Sequence, residues 1–170
     1  MFEVNIYIET DNKSPGARGG KFGYILEYIM KNGTAYTKAE CGYLKDATNK
    51  RLVLSALAAA LARIEKRSRV TIYTDCGYLV AAFREDWIGA WKRNSWRTSK
   101  QREVKNRDIW EEISSRIGNH QVSVVTAPKH TYSSVMLMEM GHTDVEDRKT
   151  VTLKALEVGE NLYSGRYGKR

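Results

Sequence analysis

Two short stretches, "NIYIE" ending at Glu9 and "TIYTD" ending at Asp75, each place a carboxylate two residues after a tyrosine. In an extended strand that spacing puts each acid on the same side as its tyrosine. If the two strands are parallel neighbours joined by a crossover helix, Glu9 and Asp75 emerge side by side at the carboxyl edge of the sheet, about 5 Å apart by strand spacing. Open α/β sheets bind their ligands at that edge. Two carboxylates held so close repel each other unless a cation sits between them, and magnesium sites for phosphoryl chemistry are built this way. A lone acid after a strand more often caps the next helix; the matched pair is what raises the metal reading.

The elements that must position this pair can be read from periodicity. "FEVNIYIE" alternates, with Val4, Ile6 and Ile8 on one side and Asn5, Tyr7 and Glu9 on the other; "FGYILEYIM" and "TAYTKAECGYL" follow as further strands. Asn32-Gly33 marks a hairpin between them. The glycine-rich "SPGARGGK" is not a phosphate-binding loop, because Phe22 stands where a Ser or Thr must meet magnesium and a strand follows. "DATNKRLVLSALAAALARIEK" reads as a helix capped by Thr48, with Val53, Leu57, Leu61 and Ile64 on one stripe. "RVTIYTD" is a strand, "CGYLVAAF" a short helix, "RDIWEEISSRIG" a helix and "QVSVVTA" the fifth strand. "SSVMLMEMG" and "TVTLKALEVGENLY" both read as helical. The order predicts an α/β fold: a five-stranded mixed sheet flanked by helices, as one domain over residues 1–145, with a C-terminal helical extension over 146–163 and a flexible basic tail over 164–170.

Charge points to the partner. The chain has 28 basic and 20 acidic residues among 170, a net +8 with a sequence pI near 9.5. Between residues 84 and 107 lie eight basic and three acidic side chains, so most of the surplus sits in one segment, as expected of an electrostatic footprint for phosphates. Trp87, Trp91 and Trp96 are interleaved with those cations, and a merely solvated basic face seldom carries three indoles. Trp110, on its own helix, is expected to be core. Cys41 and Cys76 form no metal spacing and read as reduced thiols, and no stretch approaches membrane-spanning length, which together predict a soluble cytoplasmic protein.

In order along the chain, "VNIYIETD", "GGKFGYIL", "TNKRLVLSAL", "IYTDCGYL" and "WIGAWKRNSWRTSKQREVKNRDIW" resemble the segments of type 1 ribonuclease H, the bacterial ribonuclease HI group. The resemblance covers residues 4–130, and the tryptophan segment is its most specific part. It implies the ribonuclease H-like fold with a basic protrusion that grips the DNA strand of an RNA/DNA hybrid, here built by Trp87, Trp91 and Trp96 with Lys92, Arg93, Arg97, Lys100 and Lys105 against phosphates. Thr48 and Asn49 match the family's backbone-contacting pair. Gly77 falls where the family has a longer polar contact residue.

The resemblance also implies two-metal hydrolysis of the RNA strand by four carboxylates and an assisting histidine, with Mg²⁺ or Mn²⁺ as cofactor. The matching positions are altered. The first acid falls at Glu9, one methylene longer than the family's aspartate, and the third is intact as Asp75. The family's helix glutamate falls at Val53, which cannot ligate a metal. The fourth acid lands on Met140, with Glu139 beside it, and on a helix a one-residue shift turns a side chain by about 100°. His130 matches the loop histidine, although a lone loop histidine is more often solvated. The reading that follows is a hybrid-binding protein with a degenerate two-metal site and weak or absent hydrolysis. Two others are an active ribonuclease H whose metal ligands Glu9, Asp75 and Glu139 suffice, with His130 assisting, and a non-catalytic protein-interaction module that docks through its C-terminal helix.

Overall fold

The computed structural model describes residues 1–158. Its centre is a mixed sheet built first from β1 (Phe2–Thr10), β2 (Gly20–Ile29) and β3 (Ala35–Leu44), an antiparallel meander. Helix α1 (Asn49–Leu61) then crosses over to β4 (Ser68–Thr74), which pairs parallel with β1. Short helices α2 (Gly77–Arg84) and α3 (Trp87–Arg93) and the longer α4 (Arg107–Ile117) lead to β5 (Gln121–Thr126), parallel to β4. Helix α5 (Ser133–Gly141) follows, and then β6 (Thr150–Thr152) and a 3₁₀ turn at Lys154–Leu156. The strand order is β5-β4-β1-β2-β3-β6.

Six strands therefore stand where five were expected, and the stretch read as a C-terminal helix opens instead as a strand. Thr150, Val151 and Thr152 are β-branched, and the outer edge of β3 offers them unpaired backbone groups: Glu40 faces Thr152, Cys41 faces Val151 and Gly42 faces Thr150. An available sheet edge outweighs the helical period of "LKALE", of which only the 3₁₀ turn survives. The remainder of the expected extension, and the basic tail, lie outside the described residues.

The sheet separates two cores. On one side Val4, Ile6 and Ile8 of β1 meet α1, α2 and α4. α1 is buried around most of its circumference, Ala56, Ala58 and Ala60 included, because it is wedged between the sheet and α4 rather than resting on one stripe. On the other side Tyr7, Ile25, Ala39 and Cys41 pack with Met136 and Met140 of α5 and with Leu153. Burial pushes the Cys41 thiol up to about 11, consistent with an inert core residue. Among the described residues, no helix is long and apolar enough to cross a membrane.

Candidate active site and nucleic-acid interface

Parallel register places Tyr7 opposite Tyr73, and the two rings stack at 4.7 Å. The acids two residues further on, Glu9 and Asp75, therefore leave the sheet at the same edge, on the α5 side. A single ammonium joins them: Lys13 Nζ lies 3.2 Å from Glu9 Oε2 and 3.0 Å from Asp75 Oδ2. Glu9 is only 4% exposed, and its second oxygen accepts a hydrogen bond from Ser133 Oγ at 2.9 Å. A carboxylate so far from water has to be charge-compensated and hydrogen-bonded, and Lys13 and Ser133 supply both.

Lys13 is held out by a constrained loop. Asn12 donates its side-chain amide to the Gly19 carbonyl and accepts from the Ser14 N–H, while its own carbonyl accepts from Asn49 Nδ2 at 2.7 Å. Asn49 also donates to Thr10 Oγ1, so its amide protons tie the end of β1 to the start of α1. Thr48 caps that helix by accepting from the Arg51 N–H.

His130 is buried rather than solvated, with a side chain 2% exposed. Its Nδ1 accepts from the Tyr132 N–H, which puts the proton on Nε2, 3.0 Å from the Ile8 carbonyl and 3.6 Å from Glu9 Oε1. Both ring nitrogens are thus engaged in fixing the loop before α5 to the end of β1. Tyr132 in turn packs edge-on against Tyr7 and donates to Glu27, which also accepts from Asn5 and Tyr7. Burial, and after it the Glu27 charge, pushes the Tyr7 phenol up to about 12.

The two remaining acid positions are apolar. Val53 is 1% exposed and belongs to the core on the α1 side. Met140 is buried against β2, where Gly23 makes room: a Cβ there would lie 2.7 Å from the Met140 sulfur. Lys21 locks this arrangement by donating to the Met140 and Thr143 carbonyls, both at 2.7 Å, so that a cation closes the α5 C-terminus. Glu139 is half-exposed on α5. Among the described residues no three His, Cys, Asp or Glu side chains gather as a metal group, so Glu139 does not join Glu9 and Asp75 in one. The donor set, with an ammonium already between its two acids, does not fit a two-metal centre.

The segment from α3 to α4 is built differently. Trp87, Trp91 and Trp96 are half-buried, and Trp91 lies 5.9 Å from Trp87, 6.3 Å from Trp96 and 5.3 Å from Trp110 between ring centroids. Trp110 is fully buried and donates its indole N–H to the Tyr78 hydroxyl, the core role expected of it. The loop folds back sharply: Ser95, Trp96, Gln101 and Asn106 all take left-handed backbone, an uncommon state for a bulky residue such as Trp96. The Trp96 N–H donates to the Trp91 carbonyl and the Val104 N–H to the Trp96 carbonyl, fixing that shape. Arg51 forks onto Asp108 and ties α1 to the start of α4. Lys92, Arg93, Arg97, Lys100 and Lys105 point into solvent, and Lys92, Lys100 and Lys105 make no ion pair among the described residues. At the neighbouring N-terminus of α2, a Cβ on Gly77 would meet open space.

Sequence reasoning found the acid pair and the cationic segment but missed Lys13, Ser133 and Lys21. The one available signal for Lys13 was a base four residues after a strand-end acid, which alone reads as a solvated loop charge.

A mixed sheet flanked by helices, with two acids at the edge of its central parallel strands beside a cationic tryptophan-lined segment, defines the α/β class of this fold. The chain belongs to the ribonuclease H family, whose model matches residues 3–135. It is 35% identical over 132 residues to "Ribonuclease H" of Caldicellulosiruptor saccharolyticus, spanning 77% of this chain and 86% of that one. It is 37% identical over 132 residues to "Ribonuclease H" of Moorella thermoacetica, spanning 77% and 82%. Among solved structures it is similar to LC9-RNase H1, described as a type 1 RNase H with the type 2 active-site motif (TM-score 0.70, 19% identity, 99% of this chain and 83% of that one). It is also similar to a foamy viral protease-reverse transcriptase in complex with RNA/DNA hybrid (TM-score 0.55, 17% identity, 81% of this chain and 18% of that one).

Proposed function

We propose that this chain grips RNA/DNA hybrids as a ribonuclease H-family protein in which hydrolysis of the RNA strand is weak or absent. The observation that carries the reading is Val53: the residue matched to the family's helix glutamate is an isopropyl group 1% exposed in the core, unable to reach a metal or a water. Loss of one preorganised group that stabilises a transition state costs on the order of 10²–10³ in rate, and Met140 removes a second. The binding half of the reading is supported by the opposite condition of the protrusion, where solvent-facing cations ride on a folded indole scaffold. Phosphate contacts of that kind position a duplex without reading its sequence.

The test is cleavage of a labelled RNA/DNA hybrid in Mg²⁺ and in Mn²⁺, with Asp75→Asn and Val53→Glu in parallel and a salt titration of hybrid binding alongside. The native chain is expected to bind hybrid in a salt-sensitive way and to cut no faster than Asp75→Asn. Cutting that Asp75→Asn abolishes would make Glu9, Asp75 and Glu139 a sufficient site, in line with the activity named for its relatives, and would overturn the proposal. Failure to bind hybrid at any salt would leave the fold reused for contacts with another protein.

A further inference from the structure

The disagreement between the acid pair and a metal site has a specific chemical form. Glu9 and Asp75 converge on one point, and that point holds the Lys13 ammonium at 3.2 and 3.0 Å. The placement is built into the fold rather than being a chance reach of a long side chain. Asn12 and Asn49 fix the loop on either side of the lysine, Ser133 turns Glu9 toward it, and Glu9 is 4% exposed and so depends on a charge partner. The ammonium donates a hydrogen bond to Glu9 and ion-pairs with Asp75, which leaves donor capacity on a group whose side chain is 48% exposed.

We propose that Lys13 takes the place of a divalent cation at this sheet edge, excluding Mg²⁺ and Mn²⁺ from the acid pair and offering its remaining N–H to a phosphate oxygen of bound nucleic acid. The inference rests on the hybrid-binding reading only for the identity of the phosphate. The exclusion of divalent ions stands without it. A lysine delivers one fixed positive charge where a divalent ion would deliver two along with exchangeable waters, so it can hold a phosphate but generates no hydroxide nucleophile. Association with nucleic acid therefore does not depend on divalent ions.

Two measurements on the full chain decide it. The first is Mn²⁺ binding without nucleic acid, followed by electron paramagnetic resonance, for the native protein, Lys13→Ala, Lys13→Gln and the double variant Lys13→Ala with Asp75→Asn. Native protein shows no saturable Mn²⁺ binding. Removing the ammonium raises Mn²⁺ affinity at least about tenfold, the scale on which groups around a metal site change its affinity, and Asp75→Asn takes that gain away. Lys13→Gln keeps a hydrogen-bonding side chain of similar length and supplies the neutral variant should Lys13→Ala not fold. Saturable Mn²⁺ binding by native protein that Asp75→Asn removes overturns the proposal, as does the absence of any gain in both folded Lys13 variants. The second is hybrid affinity in EDTA and in Mg²⁺ at matched ionic strength. Native affinity is the same in both, and that of Lys13→Gln falls in EDTA; a native affinity that collapses in EDTA overturns the proposal. If no hybrid binds under either condition, the hybrid reading fails, while the Mn²⁺ measurement still decides whether Lys13 excludes the metal.

Discussion

The carboxyl edge of β1 and β4 and the segment between α3 and α4 make different demands on their side chains. At the edge the placement of single side chains matters: Val53 is buried in the core, and Met140 is packed onto Gly23. In the segment between α3 and α4, charge acts collectively through solvent, and among the described residues Lys92, Lys100 and Lys105 make no ion pair while Arg93 reaches only the exposed Asp86. On the proposed reading, a few substitutions at the edge would remove metal chemistry while leaving the charge of the α3–α4 segment in place. The two regions remain joined through Arg51, which reaches from α1, the helix that carries Val53, to Asp108 on α4.

The α3–α4 segment is most sensitive at Trp110, the fully buried ring of its cluster. Trp110→Ala removes the buried indole under Trp91 and should cost about 3–5 kcal/mol of stability, read as a lower urea midpoint. Because the protrusion rests on it, hybrid affinity should fall as well. A triple change of Lys92, Arg93 and Lys100 to Ala removes charge and leaves the indole cluster intact. Hybrid affinity should drop roughly 10²-fold and the slope of log affinity against log salt should shrink by about three, with no change in thermal midpoint. An unchanged salt slope would mean that the grip lies elsewhere.

Smaller effects test the connections. Arg51→Ala unties α1 from α4 and should cost less than about 1 kcal/mol, since Asp108 is largely exposed. The Arg51 hydrogen bond holds the Asp108 carboxyl below its ordinary range, so this contribution is present above 3.8 and lost as pH falls through the depressed folded value; a urea titration across that limb should flatten in the variant. Last, burial lowers the His120 pKa, and its Nδ1 accepts from the Ser68 N–H. The neutral ring is the folded form, so its contribution is present above 6.5 and is lost as pH falls from there through the depressed folded value. His120→Gln should remove that part of the slope, measured as the urea midpoint on either side of 6.5.

The strand pairing behind the Glu9–Asp75 edge was legible because alternation fixes which side each residue faces, and a crossover helix between two strands fixes their direction. Trp110 was legible as core from its helix period. β6 was not, because a three-residue strand has no period of its own and forms only where β3 leaves an edge. Burial of His130 was not legible either: it follows from its contacts with the Ile8 carbonyl and the Tyr132 N–H, neither visible as a pattern. Lys13 was hidden for a related reason, since its position is set by two asparagines distant from each other in sequence.

All four tryptophans of the chain, Trp87, Trp91, Trp96 and Trp110, belong to one connected ring cluster. Intrinsic fluorescence excited at the indole band is consequently a spectroscopic reporter of the protrusion and its footing, with no contribution from the sheet edge where the acids sit. Far-ultraviolet circular dichroism reads the strands and helices of the whole domain. Superimposable unfolding curves from the two probes would mean that the projection melts with the body of the protein, and an earlier fluorescence transition would mean that it opens as a unit of its own.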